Sequence, residues 1–265
     1  MTIFFLLILP EKPECFASFS TVVTESGENR KMSDLRVGDR VLAVDINGVY
    51  TFSPIILFLH RDPERSSQFY VIRTNTGHTL TLTASHLIFA MVYNDNYEDD
   101  DTFNDNIKYD EITSSAIYNY ENNKVGFESF QAMYASNVRE GDLVLISNYP
   151  NNTGLSTARV VNVETRVLSG VYAPLTAQGN LVVDNVLVSC YALTSSHTMA
   201  HLAFAPLRMW YTLLDMVSFI IPSQQMESYK AASGINEFNS NGIHWYADGL
   251  HSIVQQIMPY VLFKR

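Results

Sequence analysis

The chain has 265 residues, 47% of them hydrophobic, which is enough to bury a sizeable core in one or two domains. Its net charge of −10 argues against nucleic acid as a main partner, because phosphate binding needs clustered lysine and arginine. Nine acidic and two basic side chains fall between Asp95 and Lys124, a segment without an apolar period. This composition predicts a solvated surface loop at 95–124.

An apolar run, Met1–Leu9, opens the chain and ends at Pro10. The run is too short to span a bilayer. It resembles the core of a signal peptide without a basic flank, and an incomplete gene start would look the same. We therefore interpret residues 1–14 as a leader or the remnant of an upstream segment. The leader interpretation favours a secretory (endoplasmic reticulum) or extracellular location.

Short segments rich in β-branched and aromatic residues follow, separated by turn residues such as Asn47-Gly48 and Thr76-Gly77. The predicted strands are Arg40–Val44, Ser53–Leu59, Phe69–Arg73, Thr79–Thr83, Leu143–Ile146, Ala158–Val163 and Asn180–Val183. No long helical period occurs before about Ser195. Many short strands with frequent turns predict an all-β architecture.

A short repeat divides this β region into two halves. Asp34–Leu42 aligns with Asn137–Leu145, and five positions are identical, including the pairs Gly38/Gly141 and Asp39/Asp142. Each copy places a Gly-Asp turn ahead of a Val-Leu strand. Two similar β units about a pseudo-two-fold axis would explain the repeat.

The composition changes near Ser195. The run from His197 to Ile221 is apolar and compatible with helix, but Pro206, Arg208 and Asp215 argue against a membrane span. A polar stretch then precedes a second amphipathic piece. We predict a boundary near residue 194 and a small, mainly helical tail.

Cys15, Thr83 and His86 are the candidates for chemistry in the β region. A single cysteine or histidine is more often a buried core residue than a catalytic one. Together, however, a thiol, a hydroxyl and an imidazole can activate a nucleophile against a backbone carbonyl. The chain has two cysteines, Cys15 and Cys190, too few for a disulfide scaffold.

Seven motifs resemble the C-terminal autoprocessing region of hedgehog proteins, and they occur in that family's order. They are Cys15-Phe16, Val37–Leu42, Thr83–Leu87, Tyr172–Gly179, Ser189–Ala192, Ala203–Arg208 and Gly242–Tyr246. The resemblance implies a Hint fold, shared with inteins, over residues 15–193, followed by a sterol-recognition region over 194–265.

The resemblance also implies a mechanism. Cys15 would attack the Glu14 carbonyl and form a thioester, while His86 protonates the leaving nitrogen and Thr83 holds the peptide in a strained geometry. The hydroxyl of cholesterol or a related sterol would then release the upstream segment as an ester. Cys190 matches the family's second cysteine, which can pair with the nucleophile.

Two positions depart from the family pattern. Glu14 stands where the family has glycine, and His60 stands where it usually has the aspartate that activates the sterol. A neutral imidazole is a competent base near pH 7, so His60 remains a catalytic candidate. Hydrolysis without sterol transfer and a degenerate, non-catalytic extracellular module are the alternatives. A splicing intein is disfavoured because the chain ends Phe263-Lys264-Arg265.

The tail offers apolar side chains for a sterol. The candidates are Leu202, Phe204, Leu207, Trp210 and Trp245, and simple packing on the β domain is the competing role.

His197 and His201 have helical spacing but no third ligand nearby, so no metal site is predicted. No cofactor is expected. The predicted partners are the sterol co-substrate, the chain's own upstream segment and a membrane surface, and the protein is predicted to be a monomer.

Overall fold

A computed structural model describes residues 16–92, 130–151, 154–191, 201–209 and 211, together with the backbone of 242–243. Cys15, Glu14, the acidic segment 95–124, Trp210 and Trp245 lie outside the described residues. Thirteen strands are described: β1 Phe16–Ala17, β2 Thr21–Val23, β3 Asn29–Lys31, β4 Arg40–Val44, β5 Tyr50–Thr74, β6 Thr79–Thr83, β7 Leu87–Met91, β8 Gln131–Tyr134, β9 Leu143–Ser147, β10 Leu155–Thr176, β11 Asn180–Val183, β12 Val186–Ser189 and β13 Gly242–Ile243. The predicted all-β architecture is confirmed.

Two long antiparallel strands, β5 and β10, pair with each other over most of their length. At about 3.3 Å per residue, strands of this length would extend roughly 70–80 Å if straight. Four register shifts between Val160 and Thr176 let the pair bend. The sequence predicted Ser53–Leu59 and Phe69–Arg73 as separate strands, which is wrong. Polar residues between them, such as Asp62 and Ser66, stay in the sheet because β10 pairs with them.

The two halves repeat each other bond for bond around their Gly-Asp turns. Gly38 N donates to Ile55 O and Gly141 N donates to Val160 O, both at 2.8 Å. Asp39 and Asp142 each accept the backbone N–H three residues earlier through Oδ2, also at 2.8 Å. Both glycines have positive φ, +95° and +97°, a region that favours glycine over any other residue. The predicted internal repeat is confirmed.

Strand β1 is short, but it lies at the centre of the site described below. Phe16 pairs with Leu82 of β6 on one side and with Tyr172 of β10 on the other. Beyond β10, Arg61 of β5 pairs with Tyr172, and Gly242 of β13 pairs with Arg61. One row of the sheet therefore links the start of the β domain to the tail at Gly242.

Residues 201–203 and 205–209 lie in helical turns that pack against the β domain. Phe204 belongs to the main core cluster and is fully buried, and Leu207 and Tyr211 pack against the same cluster. In the part of the chain that the structure describes, no helix has the length and apolar character needed to cross a membrane.

Candidate active site

The turn after β6 holds two of the predicted site residues. Thr83 ends the strand, and His86 N donates to Thr83 O at 3.2 Å. Strand β6 pairs with β1 and β5, whereas β7 pairs with β8, β9 and β12. The connection between β6 and β7 therefore crosses from one part of the fold to the other, and it brings Thr83 and His86 to the junction.

The His86 ring is fully buried and has well-defined partners. Its centroid lies 4.2 Å from that of Phe16, with the planes tilted by 59°. Its Nε2 lies 2.8 Å from the Ser189 carbonyl oxygen. Because a carbonyl can only accept, Nε2 carries the proton in the neutral ring, and Nδ1 is the nitrogen that gains or loses the second proton.

Cys15 and Glu14 lie outside the described residues. The peptide bond nevertheless keeps the Cα of residue 15 within about 3.8 Å of the Phe16 Cα. The aromatic ring that follows the predicted nucleophile is thus the ring against which His86 packs. The structure places the end of β6 and the His86 ring beside Phe16, while the meeting of the Cys15 sulfur and the Thr83 hydroxyl with that ring stays a prediction.

His60 lies on β5 and is 1% exposed. Its Cα partner on β10 is Ala173, the residue after Tyr172, and its partner on β13 is Ile243. The row that contains His60 is therefore adjacent to the row that contains Phe16. His60 also lies where the tail rejoins the β domain, which is a suitable place for a residue that acts on a tail-bound co-substrate.

Cys190 follows β12 and is buried as a free thiol among the described residues. Thr176 N donates to its sulfur at 3.5 Å, and the Thr176 hydroxyl lies 3.4 Å from it. Burial raises the pKa of the Cys190 thiol to about 11, so it stays protonated near neutral pH. A buried, protonated thiol is a poor nucleophile, which leaves Cys15 as the better candidate for attack.

The sterol candidates divide between two faces of the tail helix. Phe204 and Leu207 pack on the core, whereas Leu202 is 65% exposed. Met209 of the same helix is also exposed, at 73%. Trp210 and Trp245 lie outside the described residues. Among the residues that are described, no group of three His, Cys, Asp or Glu side chains is placed to hold a metal ion.

Sequence reasoning missed three residues that build the site: Ser189, whose carbonyl accepts from His86, Thr176, which contacts Cys190, and Tyr191. Tyr191 O accepts from Leu87 N at 3.3 Å, directly after His86. All three fall inside motifs that carried the family resemblance. The motifs were therefore the available signal, but the bonds depend on tertiary contacts that no local pattern encodes.

Comparison with known proteins agrees with this geometry. A family model described as the Hint module matches residues 10–259. The chain belongs to the Hint module family. Similar proteins include the Indian hedgehog protein of Xenopus laevis, 36% identical over 92% of this chain, and the tiggy-winkle hedgehog protein of Danio rerio, 34% identical over 90%. These alignments cover 48% and 47% of the two relatives, so the chain spans about half of their length.

The solved structures to which the chain is similar include inteins. The Ssp DnaB mini-intein variant M86 has a TM-score of 0.47 and 10% identity, covering 68% of this chain and 97% of that one. The gp41-1 intein has a TM-score of 0.41 and 12% identity, covering 67% and 99%. The predicted Hint fold is confirmed by the family match and the β architecture together.

Proposed function

We propose that this Hint module cleaves its own backbone between Glu14 and Cys15 and transfers the upstream segment to a sterol. The observation that carries the proposal is the contact between the His86 ring and Phe16, the residue that follows the predicted nucleophile. The match to hedgehog proteins over about 90% of the chain supports the same chemistry.

In the first step the Cys15 sulfur attacks the Glu14 carbonyl carbon. The carbon–sulfur bond forms, the carbon–nitrogen bond breaks, and the thiol proton ends on the new α-amino group of Cys15. An amide nitrogen is a poor leaving group, so it must be protonated as the bond breaks. His86 accepts the thiol proton at Nδ1 and delivers it from the same atom to the leaving nitrogen, because the Ser189 carbonyl occupies Nε2.

In the second step a sterol hydroxyl attacks the thioester. The carbon–oxygen bond forms, the carbon–sulfur bond breaks, and the hydroxyl proton ends on the Cys15 sulfur. His60 serves as the base that accepts and passes on this proton. His60 pairs with Ala173 of β10, and the preceding residue of β10, Tyr172, pairs with Phe16. This proximity to the residue after the nucleophile supports the role.

The outer face of the tail helix supports an apolar co-substrate. Leu202 and Met209 are seven residues apart, which is two helical turns, so they share one face, and both are mostly exposed. This face is on the opposite side from Phe204, which is buried in the core. We propose that the exposed face contacts the sterol and the membrane surface where sterols reside.

The setting follows from the same proposal. The chain acts as a monomer along the secretory route or outside the cell, needs no cofactor or metal, and has only its own upstream segment as the peptide substrate. The net charge of −10 supports the absence of a nucleic-acid partner.

The test is a chain with a reporter protein fused ahead of residue 1, incubated with dithiothreitol or with cholesterol in detergent. We expect release by both reagents, and an ester-linked sterol on the reporter in the second case. Cys15→Ala should abolish both reactions. His60→Ala should spare thiol release and impair sterol release.

Several outcomes would contradict the proposal. Release by both reagents from the Cys15→Ala chain would refute the thioester. Equal loss of both reactions in His60→Ala would remove His60 from the second step. A reporter released with a free carboxyl group in the presence of cholesterol would indicate hydrolysis, and no release at all would favour a non-catalytic module.

A further inference from the structure

A cluster of three polar side chains joins the tail helix to the β domain. Arg208 Nη1 donates to the Tyr191 hydroxyl at 2.6 Å and also contacts His201 Nδ1. The Tyr191 hydroxyl lies 2.9 Å from the same Nδ1. Phe204 stacks on the Tyr191 ring with the centroids 5.5 Å apart. Because Tyr191 is fully buried, the cluster connects the helix directly to the core.

His201 acts in this cluster as a neutral acceptor. Its Nδ1 faces two donors, so it cannot itself carry a proton there. Partial burial, reinforced by the Arg208 charge, lowers the pKa of His201 to about 4. The lone pair that Arg208 and Tyr191 approach is therefore present throughout the neutral range.

The turn at Gly179 packs closely against this cluster. A Cβ at Gly179 would lie 2.9 Å from both His201 Cε1 and the Tyr191 hydroxyl, closer than ordinary van der Waals contact. The corresponding turn of the first half, at Gly77, has no atom within 4 Å of such a Cβ. Both glycines have positive φ, +76° and +86°, so their backbone requirements match and only the neighbours differ.

We propose that Arg208, Tyr191 and Gly179 are positioning residues for the sterol step, because they seat the tail helix on the β domain. The proposal rests on the proposed function and adds the residues that hold the co-substrate's binding element in place. The tail rejoins the β domain a second time where Ile243 pairs with His60. The contacts of Tyr191 with the tail helix and the pairing of β13 with β5 together hold the tail at two points. The second point is beside the proposed sterol base, His60.

The first step should not depend on the contacts among Arg208, Tyr191 and His201. His86 is held by the Ser189 carbonyl, and Ser189 is paired with Asn180 inside the β11–β12 hairpin. Leu87 N bonds to the backbone carbonyl of Tyr191, not to its side chain. Removing the Tyr191 hydroxyl or the Arg208 guanidinium therefore removes neither of these two backbone contacts.

The test compares Arg208→Gln, Tyr191→Phe and Gly179→Ala in the full chain carrying the upstream reporter. Gly77→Ala repeats the backbone strain of Gly179→Ala without the contact, and Arg166→Gln removes an exposed arginine that pairs with Glu164 elsewhere. Three quantities are measured on each chain: the thiol-driven rate, the cholesterol-driven rate, and the titration of His201 by nuclear magnetic resonance.

We expect Arg208→Gln and Gly179→Ala to lower the ratio of sterol-driven to thiol-driven release about tenfold, the loss typical of one hydrogen bond to a charged group. The His201 pKa should rise from about 4 towards its ordinary value of about 6.5 as the ring becomes solvated. Tyr191→Phe keeps the stacking and should show a smaller fall. Arg208→Lys, which can still donate to Tyr191, should restore part of the ratio. The two control variants should match the parent chain.

Three results would overturn the positioning role. The first is an unchanged ratio in chains whose His201 titration shows that the tail helix has undocked. The second is a lower ratio while His201 still titrates as in the parent chain, and the third is an equal fall of both rates. Failure of the proposed function looks different, because the parent chain itself would then show no thiol-driven release. In that case the parent chain alone refutes both the proposed function and the positioning role, without any comparison of variants.

Discussion

The two halves of the β domain share a backbone plan but carry different chemistry. Each contains a Thr-x-x-Gly turn, in which Gly77 N donates to Thr74 O at 3.0 Å and Gly179 N donates to Thr176 O at 3.1 Å. In each turn the threonine hydroxyl also reaches the carbonyl four residues on, that of His78 or Asn180. The turn at Gly77 has open space beside it, whereas the turn at Gly179 receives the tail helix.

The connections that follow these turns differ in the same way. Strands β11 and β12 form a hairpin around Asp184 and Asn185, both with positive φ. Strands β6 and β7 instead join different neighbours, and their connection carries His86. The repeat therefore supplies the framework, and each half places its own residues at one shared site. His86 comes from the first half, and its carbonyl partner, Ser189, comes from the second.

The largest expected difference between the halves concerns these two connections. His86→Gln keeps a side-chain N–H for the Ser189 carbonyl but cannot donate a proton to the leaving amine. We expect thiol-driven cleavage to slow by about 10²–10⁴-fold, the usual contribution of a general acid. The measurement is the rate of reporter release in dithiothreitol.

Asn185→Gly is the matched change in the second half. Glycine accepts the φ of 67° without strain, and the change removes only the bond from Asn185 Nδ2 to Ser147 O. Cleavage should stay close to that of the parent chain. Comparable slowing by both substitutions would mean that His86 acts through the fold and not through proton transfer.

A smaller difference is expected between the two Gly-Asp turns. Asp142 is buried and accepts from Arg139 N, whereas Asp39 is partly exposed and shares its carboxylate between Arg36 N and the Arg30 side chain. Replacing either aspartate with alanine removes the acceptor of a backbone N–H. Water can reach that N–H more easily at Arg36 than at Arg139.

We therefore expect Asp142→Ala to lower the free energy of unfolding by about 2–3 kcal/mol and Asp39→Ala by about 1 kcal/mol. Urea unfolding of the two variants measures the difference. A larger loss for Asp39→Ala would show that its ion pair with Arg30 outweighs the burial of Asp142.

Sequence patterns predicted the local parts of this fold well. The bounds of β4, β6 and β11 match the prediction because each is a short β-branched run that ends at a turn. The middle of β5 was missed because its polar residues, such as Asp62 and Ser66, indicate a loop until β10 is present to pair with them. Motifs predicted the candidate site residues, whose catalytic roles stay predictions, but no pattern indicated the Arg208–Tyr191–His201 cluster. Its partners are up to 17 residues apart and meet only through tertiary packing.

The smallest effect we predict is a difference in how two histidines beside the Thr-x-x-Gly turns change the pH dependence of stability. Burial lowers the pKa of His78 after the first turn, and burial together with Arg208 lowers the pKa of His201 over the second to about 4. Between pH 4 and the unfolded value of about 6.5, the unfolded chain binds a proton at residue 201 that the folded chain does not. Stability should therefore rise with pH across this window and gain nothing further from His201 above it.

His201→Gln should reduce this slope more than His78→Gln does, because Arg208 opposes protonation only at residue 201. The reduction should stay well below the roughly 1.4 kcal/mol per pH unit of one full proton, since His201 is half-buried and solvent screens its charge. Urea unfolding at pH 5.0, 5.75 and 6.5 measures the slope in a range where most carboxylates are already ionised. Equal slopes in the two variants would mean that protonating His201 of the tail helix destabilises the folded chain no more than protonating His78 beside the open turn. The predicted electrostatic difference between the two turns would then be refuted.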